Sequence, residues 1–413
     1  MHVKLNRPSL ILTGLIALLL FSACASEPIA TATPTKTPPG VQPSVTAEPE
    51  PAGPAAIPTF TPELTPAPTN AVVEPTETAT QEPQPHAMEG VIGPKEYDPD
   101  VNPLTGLTMT DPSSLERRPV AVKVSNSPSR YVRPQSGLDK ADLIFEHYAE
   151  GGVTRLTAVF YGQGASQVGS VRSGRMIDLE IPVMYQAAFA YSGSSIGVRG
   201  KIRSSAFFDR VISPDFGYGE PYFVRVPRES VPFEHTLFAD LYDVWAWLDN
   251  NDDNARPELA GMAFSESPPE NPEASPATNV FVGYIAGESQ VKWVYSPGTG
   301  RYLRWQGGEA HTELHSGAQL SVANVVIVSA HHEDTDILED NVGGGHYSIE
   351  IQVWGEGPAT LFRDGLRYEG RWHRTDSQDM LTFTDIEGNV LPFKPGNTWF
   401  QLVPLGFDQL IVD

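Results

Sequence analysis

The segment Ser170-Val171-Arg172-Ser173-Gly174-Arg175, with Gly169 before it and Asp178 after it, holds the densest set of groups able to recognise an anion. Two guanidiniums offer planar forks of donors that match a carboxylate or phosphate, and two hydroxyls and a glycine backbone can add to them. Ser170, Arg172, Ser173 and Arg175 are therefore the candidate ligand-binding residues. The competing reading pairs the same arginines with Glu146, Glu150 and Asp178, in ion pairs that only fix loops. Glu146 and Glu150 are also candidates for acid and base chemistry on a sugar. Their separation of four positions puts them on one side of either a strand or a helical turn. Glycosidases use two carboxylates across a cleft; the blander alternative is a salt-bridged hairpin that turns at Gly151-Gly152.

Ser195 is the third candidate for catalysis. Gly193-Ser194-Ser195-Ile196-Gly197 fits the spacing of a nucleophile elbow, and Asp209, His235 and Asp240 lie downstream. An elbow needs a strand before it, a helix after it, and an acid and a histidine in reach. A helix starting there without them would offer only backbone donors to a negative group. His311 and His315, and the run His331-His332-Glu333-Asp334 followed by Asp336, carry metal-ligand atoms. Neighbouring residues of a strand point to opposite faces, so His331 and His332 would not share one ion, and neither a metal site nor a cofactor is expected.

The elements that must position these groups fall into two stretches. In residues 97–254, Pro119 to Val124 and Leu156 to Tyr161 read as strands and Leu237 to Leu248 has helical spacing, which predicts an α+β or α/β domain. In residues 278–413, short runs such as Val280–Tyr284, Val291–Tyr295, Val325–Val328, Tyr347–Val353 and Ala359–Phe362 are punctuated by turns such as Asp364-Gly365. That pattern predicts a smaller, mainly antiparallel β domain. Residues 255–277, polar and proline-rich, read as a linker. The second stretch also carries Trp293, Tyr295, Tyr302, Trp305, Trp354, Trp372 and Trp399, which would stack on sugars if exposed but more often fill a core.

Ahead of both stretches, Lys4 and Arg7 precede an apolar run from Leu10 to Phe21, and Ser22-Ala23 stand before Cys24, the single cysteine. This order reads as a lipoprotein signal over residues 1–23, with Cys24 as the lipidated first residue of the mature chain. Residues 24–96, rich in Pro, Thr, Ala and Glu, cannot bury enough apolar surface to fold and read as a disordered tether. A flexible coil of that length spans roughly 45 Å, more where proline stiffens it. With one cysteine, disulfide frameworks and thiolate metal sites are excluded. The formal net charge of -23 disfavours nucleic acid as a partner.

Several motifs in order resemble the YerB-like bacterial lipoproteins, domain-of-unknown-function family 3048. They are Asn102-Pro103-Leu104-Thr105-Gly106, Arg118 to Lys123, Arg133 to Leu138, Ala141 to Glu146, Glu150 to Arg155, Val168 to Arg175, Phe362 to Gly365, Gly370-Arg371-Trp372 and Pro395 to Trp399. The resemblance implies an N-terminal domain and a smaller C-terminal one behind a lipoprotein signal, and no particular reaction; at residues 193–197 the family pattern looks like a glycine-serine turn. The sequence thus leads to an extracytoplasmic protein held on the bacterial cell membrane through lipid on Cys24. Its expected role is a non-catalytic module that binds a cell-wall component or a wall-assembly partner, with Arg172 and Arg175 as first contacts. The alternative is a hydrolase of a wall glycan or ester, using Glu146 and Glu150, or Ser195.

Overall fold

The computed structural model describes residues 90–270 and 273–413. Cys24, the signal and nearly all of the tether lie outside the described residues. No described helix is long and apolar enough to cross a membrane.

Alternating β-branched runs form the first strands: β1 (Val120–Ser125), β2 (Leu143–Tyr148) and β3 (Thr154–Phe160), each buried along its whole length. β2 and β3 make an antiparallel hairpin, closed by Ala149 to Val153, where Gly151 and Gly152 take up positive φ. Two short strands, β4 (Ala188–Ala190) and β5 (Val211–Ile212), extend β1 in parallel. In the second stretch, β6 (Asn279–Val282), β7 (Val291–Ser296) and β8 (Arg301–Gln306) belong to a small antiparallel sheet. A long β9 (Asn324–Asp340) follows, with β10 (His346–Gln352), β11 (Gly355–Arg363), β12 (Leu366–Arg374), β13 (Thr382–Asp385), β14 (Thr398–Pro404) and β15 (Leu410–Val412). Asp364-Gly365, at φ 54° and 74°, turns β11 into β12 as the Asp-Gly pair predicts.

The two stretches share one sheet. Its strand order is β13-β12-β11-β9-β14-β2-β3-β1-β4-β5, and β14 lies parallel to both β9 and β2. The second stretch is mostly antiparallel; the first is a mixed sheet with few helices, the longer being α1 (Ile196–Arg203) and α2 (Leu241–Asn250). The helix expected over Leu237 to Leu248 begins only at Leu241. Asp240 accepts hydrogen bonds from the Tyr242 and Asp243 amides and caps it, and Leu237–Ala239 is a strand instead.

Each face of the main sheet buries its own core. Ala121, Phe145, Val159, Phe400 and Tyr185 belong to one; Val122, Ile144, Leu156 and Trp399 meet Trp293 and Tyr302 of the small sheet in the other. Full burial of each large apolar side chain contributes about 1.5–3 kcal/mol. Residues 255–277 do not run free of these cores. Met262, Ala263 and Phe264 are buried, Phe264 bridges to both Ile92 and Phe393, and Ser275–Pro276 pairs with β12. Of the aromatics considered for stacking, Trp293, Tyr302, Trp372 and Trp399 are buried, whereas Trp354 is exposed.

A fragment of residues 90–254 would leave the β2 edge bare where Leu143 to Glu146 now pair with Thr398 to Gln401. We expect it to show no cooperative transition in a calorimeter. A sharp transition would mean that the first stretch holds its own core without the second.

Candidate functional site

β1, β2, β4, β5 and β14 run in the same direction, so their carboxyl ends share one edge of the sheet. Crevices at such edges are where open mixed sheets bind ligands. The loop of residues 169–175 lies across that edge. The Arg172 amide donates to Lys123 O at 2.9 Å, the Ser125 amide to Ser170 O at 2.8 Å and the Ser192 amide to Arg172 O at 3.0 Å. The loop backbone is thereby fixed to the ends of β1 and β4.

The side chains there leave donors unused. Arg155, at the start of β3, sits opposite Ser125 and His147 and shares their face. It is only 8% exposed, and its Nε and Nη1 are buried without a partner. Arg172 Nε, Ser170 Oγ and His235 Nδ1 are also buried and unpartnered. Burial, with the neighbouring charges of Arg175 and Arg172, pushes the Arg155 guanidinium down to about 9. Burial and Arg172 push His235 down to about 4, so the imidazole, stacked on Tyr131 at 5.5 Å, is neutral at pH 7. An unsatisfied buried group costs about 1–3 kcal/mol, more if charged. A ligand oxygen carrying negative charge would satisfy several of these groups together.

Arg175 is in a different state. Glu150 grips it through two 2.6 Å contacts, Oε1 to Nε and Oε2 to Nη2, and Glu339 Oε2 lies 3.7 Å from Nη1. Its amide donates to Asp178 Oδ2 at 2.7 Å. Ser173 is half-buried beside Gly193. Below the loop, Lys123 Nζ lies 2.8 Å from Asp178 Oδ2, donates to Thr157 Oγ1 at 3.0 Å and lies 2.6 Å from His147 Nε2. His147 Nδ1 donates to Tyr148 O at 2.9 Å, so Nε2 accepts from the ammonium. Burial depresses both groups, Lys123 to about 8. This cluster is internally satisfied.

Glu146 lies on the other face. Its Oε2 accepts from Arg304 Nη2 at 2.6 Å and Trp399 Nε1 at 3.1 Å, and its Oε1 from Thr154 Oγ1 at 2.8 Å and Asn126 Nδ2 at 3.2 Å. Both Glu146 and Arg304 are fully buried. The one-sided placement expected from their spacing does not hold, because β2 ends at Tyr148 and the glycine turn swings Glu150 to the Arg175 side. The two carboxylates therefore share no cleft. Ser195 caps α1: its Oγ accepts from the Val198 amide and donates to Glu339 Oε1 at 2.9 Å. Asp240 caps α2, Asp209 lies 4.0 Å from Arg210, and His235 stacks on Tyr131, so none of the proposed partners completes a triad. His311 is buried with Nε2 2.5 Å from Gln135 Oε1, while His315 is exposed. Among the described residues no three His, Cys, Asp or Glu side chains converge to hold a metal ion.

Sequence reasoning singles out the loop around Arg172 but not Arg155, whose donors lie beside it unpartnered. The available signal was an arginine within Thr154-Arg155-Leu156, an apolar strand opening that places it on a buried face.

Two family models match the chain: the DUF3048 N-terminal domain over residues 104–255 and the DUF3048 C-terminal domain over residues 280–400, both described as protein of unknown function. A Bacillus subtilis (strain 168) protein named as a candidate lipoprotein, YerB, is 31% identical over 307 residues, covering 73% of this chain and 86% of YerB. The crystal structure of the Bacillus subtilis YerB protein superimposes with a TM-score of 0.63 at 28% identity, covering 76% of this chain and 99% of that one.

Two stability measurements follow. Arg304→Met strands the Glu146 charge in the core and should lower unfolding free energy by about 3–5 kcal/mol, whereas Arg155→Met removes an unpaired buried charge and should raise it by about 1 kcal/mol or more. Equal losses in urea titrations would mean that Arg155 is an ordinary structural cation. Stability should also fall as pH drops from 7 to 5. Burial holds His147, His235, His311 and His332 below the unfolded value of about 6.5, so the unfolded chain takes up more protons there. Asp142, raised by burial to about 6, opposes this trend but is one group against four. A flat or rising urea midpoint would contradict the account.

Proposed function

The chain belongs to the DUF3048 family, and on that premise we propose that it is a lipid-anchored, extracytoplasmic binding module that holds a carboxylate or phosphate of a cell-wall component. Arg155 and Arg172 take the anion, with Ser170 Oγ as a further donor. The observation that carries this reading is the set of buried, unpartnered donors on those three residues, beside an Arg175 already neutralised by Glu150. The charge of Arg172 disfavours that of Arg155, Glu150 and Glu288 near Arg155 and Glu234 near Arg172 offset the burial of the two guanidiniums only in part, and an anion on their unpartnered donors would offset the rest. The name of the Bacillus subtilis relative, together with the signal read over residues 1–23 just before Cys24, supports the lipid anchor. A tether of the composition seen before residue 97 would give the module reach and a high effective concentration at the wall. Hydrolysis by Glu146 and Glu150 finds no support in their geometry, since each is held by its own arginine on opposite faces.

The test is co-sedimentation of the full chain, in detergent, with purified cell-wall sacculi, followed by analysis of the supernatant. Wild type should pellet and inorganic phosphate should compete. Arg155→Met and Arg172→Ala should each weaken binding at least tenfold, as expected for the loss of a charge-assisted contact of about 1.5–3 kcal/mol. Unchanged binding by both variants would remove the assignment, and soluble fragments released from the sacculi would make the protein an enzyme.

A further inference from the structure

Three further arginines stand beside Arg172 on the surface. Arg130 is exposed, Arg172, Arg225 and Arg228 are partly exposed, and none of the four makes an ion pair among the described residues. The backbone brings them together. The Val171 amide donates to Leu237 O at 2.7 Å, and Leu237 pairs across strands with Arg225. Arg228 Nη2 donates to Tyr131 O at 2.7 Å and to His235 O at 3.2 Å, which joins the loop of residues 129–133 to the turn before Leu237. Tyr131 stacks on His235 and carries the Arg130 guanidinium 4.5 Å from its ring centre. Arg225 Nη1 donates to Phe233 O at 2.7 Å, and its guanidinium lies 3.5 Å over the Phe233 ring. Ring faces and backbone carbonyls hold these cations in place without neutralising them. The carboxylates of the same turn, Glu229 and Glu234, are exposed, and only Glu234 offsets Arg172. A cationic surface of this kind, on a chain of net charge -23, draws anions to one place.

We propose that the Arg155 and Arg172 site is one part of a track for a linear phosphate polymer, with Arg130, Arg225 and Arg228 taking further phosphates of the same chain. The inference rests on the function proposed above and names the ligand class for it. A single small anion on Arg155 and Arg172 leaves the outer arginines without a role, whereas a chain of repeated charges uses them all. Phosphate fits them better than carboxylate. Arg228 has spent Nη2 on two carbonyls and its Nε is buried, so Nη1 alone is left to a ligand. A carboxylate is bound best by a fork of two donors, while the oxygens of a phosphate chain can each be met singly from different sides. Nucleic acid fits less well, because its bases need bare rings to stack on, and Tyr131 and Phe233 already carry arginines.

Calorimetric titration of the full chain, in detergent, with inorganic phosphate and with short-chain linear polyphosphate tests it, the two being compared at equal concentration of phosphate groups. Wild type should bind polyphosphate at least tenfold more tightly, with an affinity that falls more steeply with salt. Arg228→Ala and Arg130→Ala should each weaken polyphosphate severalfold, lower its salt slope by about one, and leave inorganic phosphate unchanged. Arg228 also braces two carbonyls, so Arg130→Ala, at an exposed position, carries the test should Arg228→Ala not fold. Equal affinity for the two probes, or polyphosphate binding unchanged in Arg130→Ala, overturns the track and leaves the Arg155 and Arg172 site standing. Absence of any phosphate binding removes both. Oligothymidylate that binds as tightly as polyphosphate would make the surface a nucleic-acid interface and overturn the proposal as well.

Discussion

The Glu146 to Arg304 ion pair is the constraint on which the geometry depends. A carboxylate and a guanidinium with no solvent exposure persist only when both are paired and their remaining sites are occupied. Here Thr154, Asn126 and Trp399 complete the carboxylate, drawing on β3, the loop after β1, and β14. The pair thus ties β2 to both the small sheet and the far half of the large one. It also sets direction. With Glu146 and Thr154 held on one face, strand alternation turns His147 and Arg155 to the other.

That other face has unequal electrostatics. Lys123 is matched by Asp178, and Arg175 by Glu150, each within 3 Å. Arg155 and Arg172 have no such match, although Glu150 and Glu339 are near enough to serve Arg175. A fold selected for stability alone gains from replacing such residues with apolar ones. Their place at the carboxyl edge, where the loop of residues 169–175 is pinned by backbone bonds to β1 and β4, suits the proposed anion site, whose donors must be held before the ligand arrives.

The strands and the loop of residues 169–175 were legible because both leave local signals: apolar alternation around Val120 to Val124, the Gly151-Gly152 turn, and the clustered hydroxyls and guanidiniums of residues 170–175. The sequence did not show that two stretches separated by a proline-rich gap build one sheet. The pairing of Leu143 with Thr398 spans a chain separation that no periodicity reports. Nor did it show which arginines are neutralised, because Arg175 and Arg172 look alike until Glu150 is placed on one and not the other.

The central claim is that Arg155 and Arg172 are kept unpaired for an anion, and linkage measures it most directly. The thermal midpoint of the full chain should be followed against inorganic phosphate at constant ionic strength, for wild type and Arg155→Met. An anion that binds only the folded chain stabilises it by about 2.7 kcal/mol at a hundredfold excess over Kd. The account predicts a midpoint that climbs with phosphate in wild type, and a variant that starts higher and stays flat. A wild-type midpoint indifferent to phosphate, or a variant that responds equally, would contradict it.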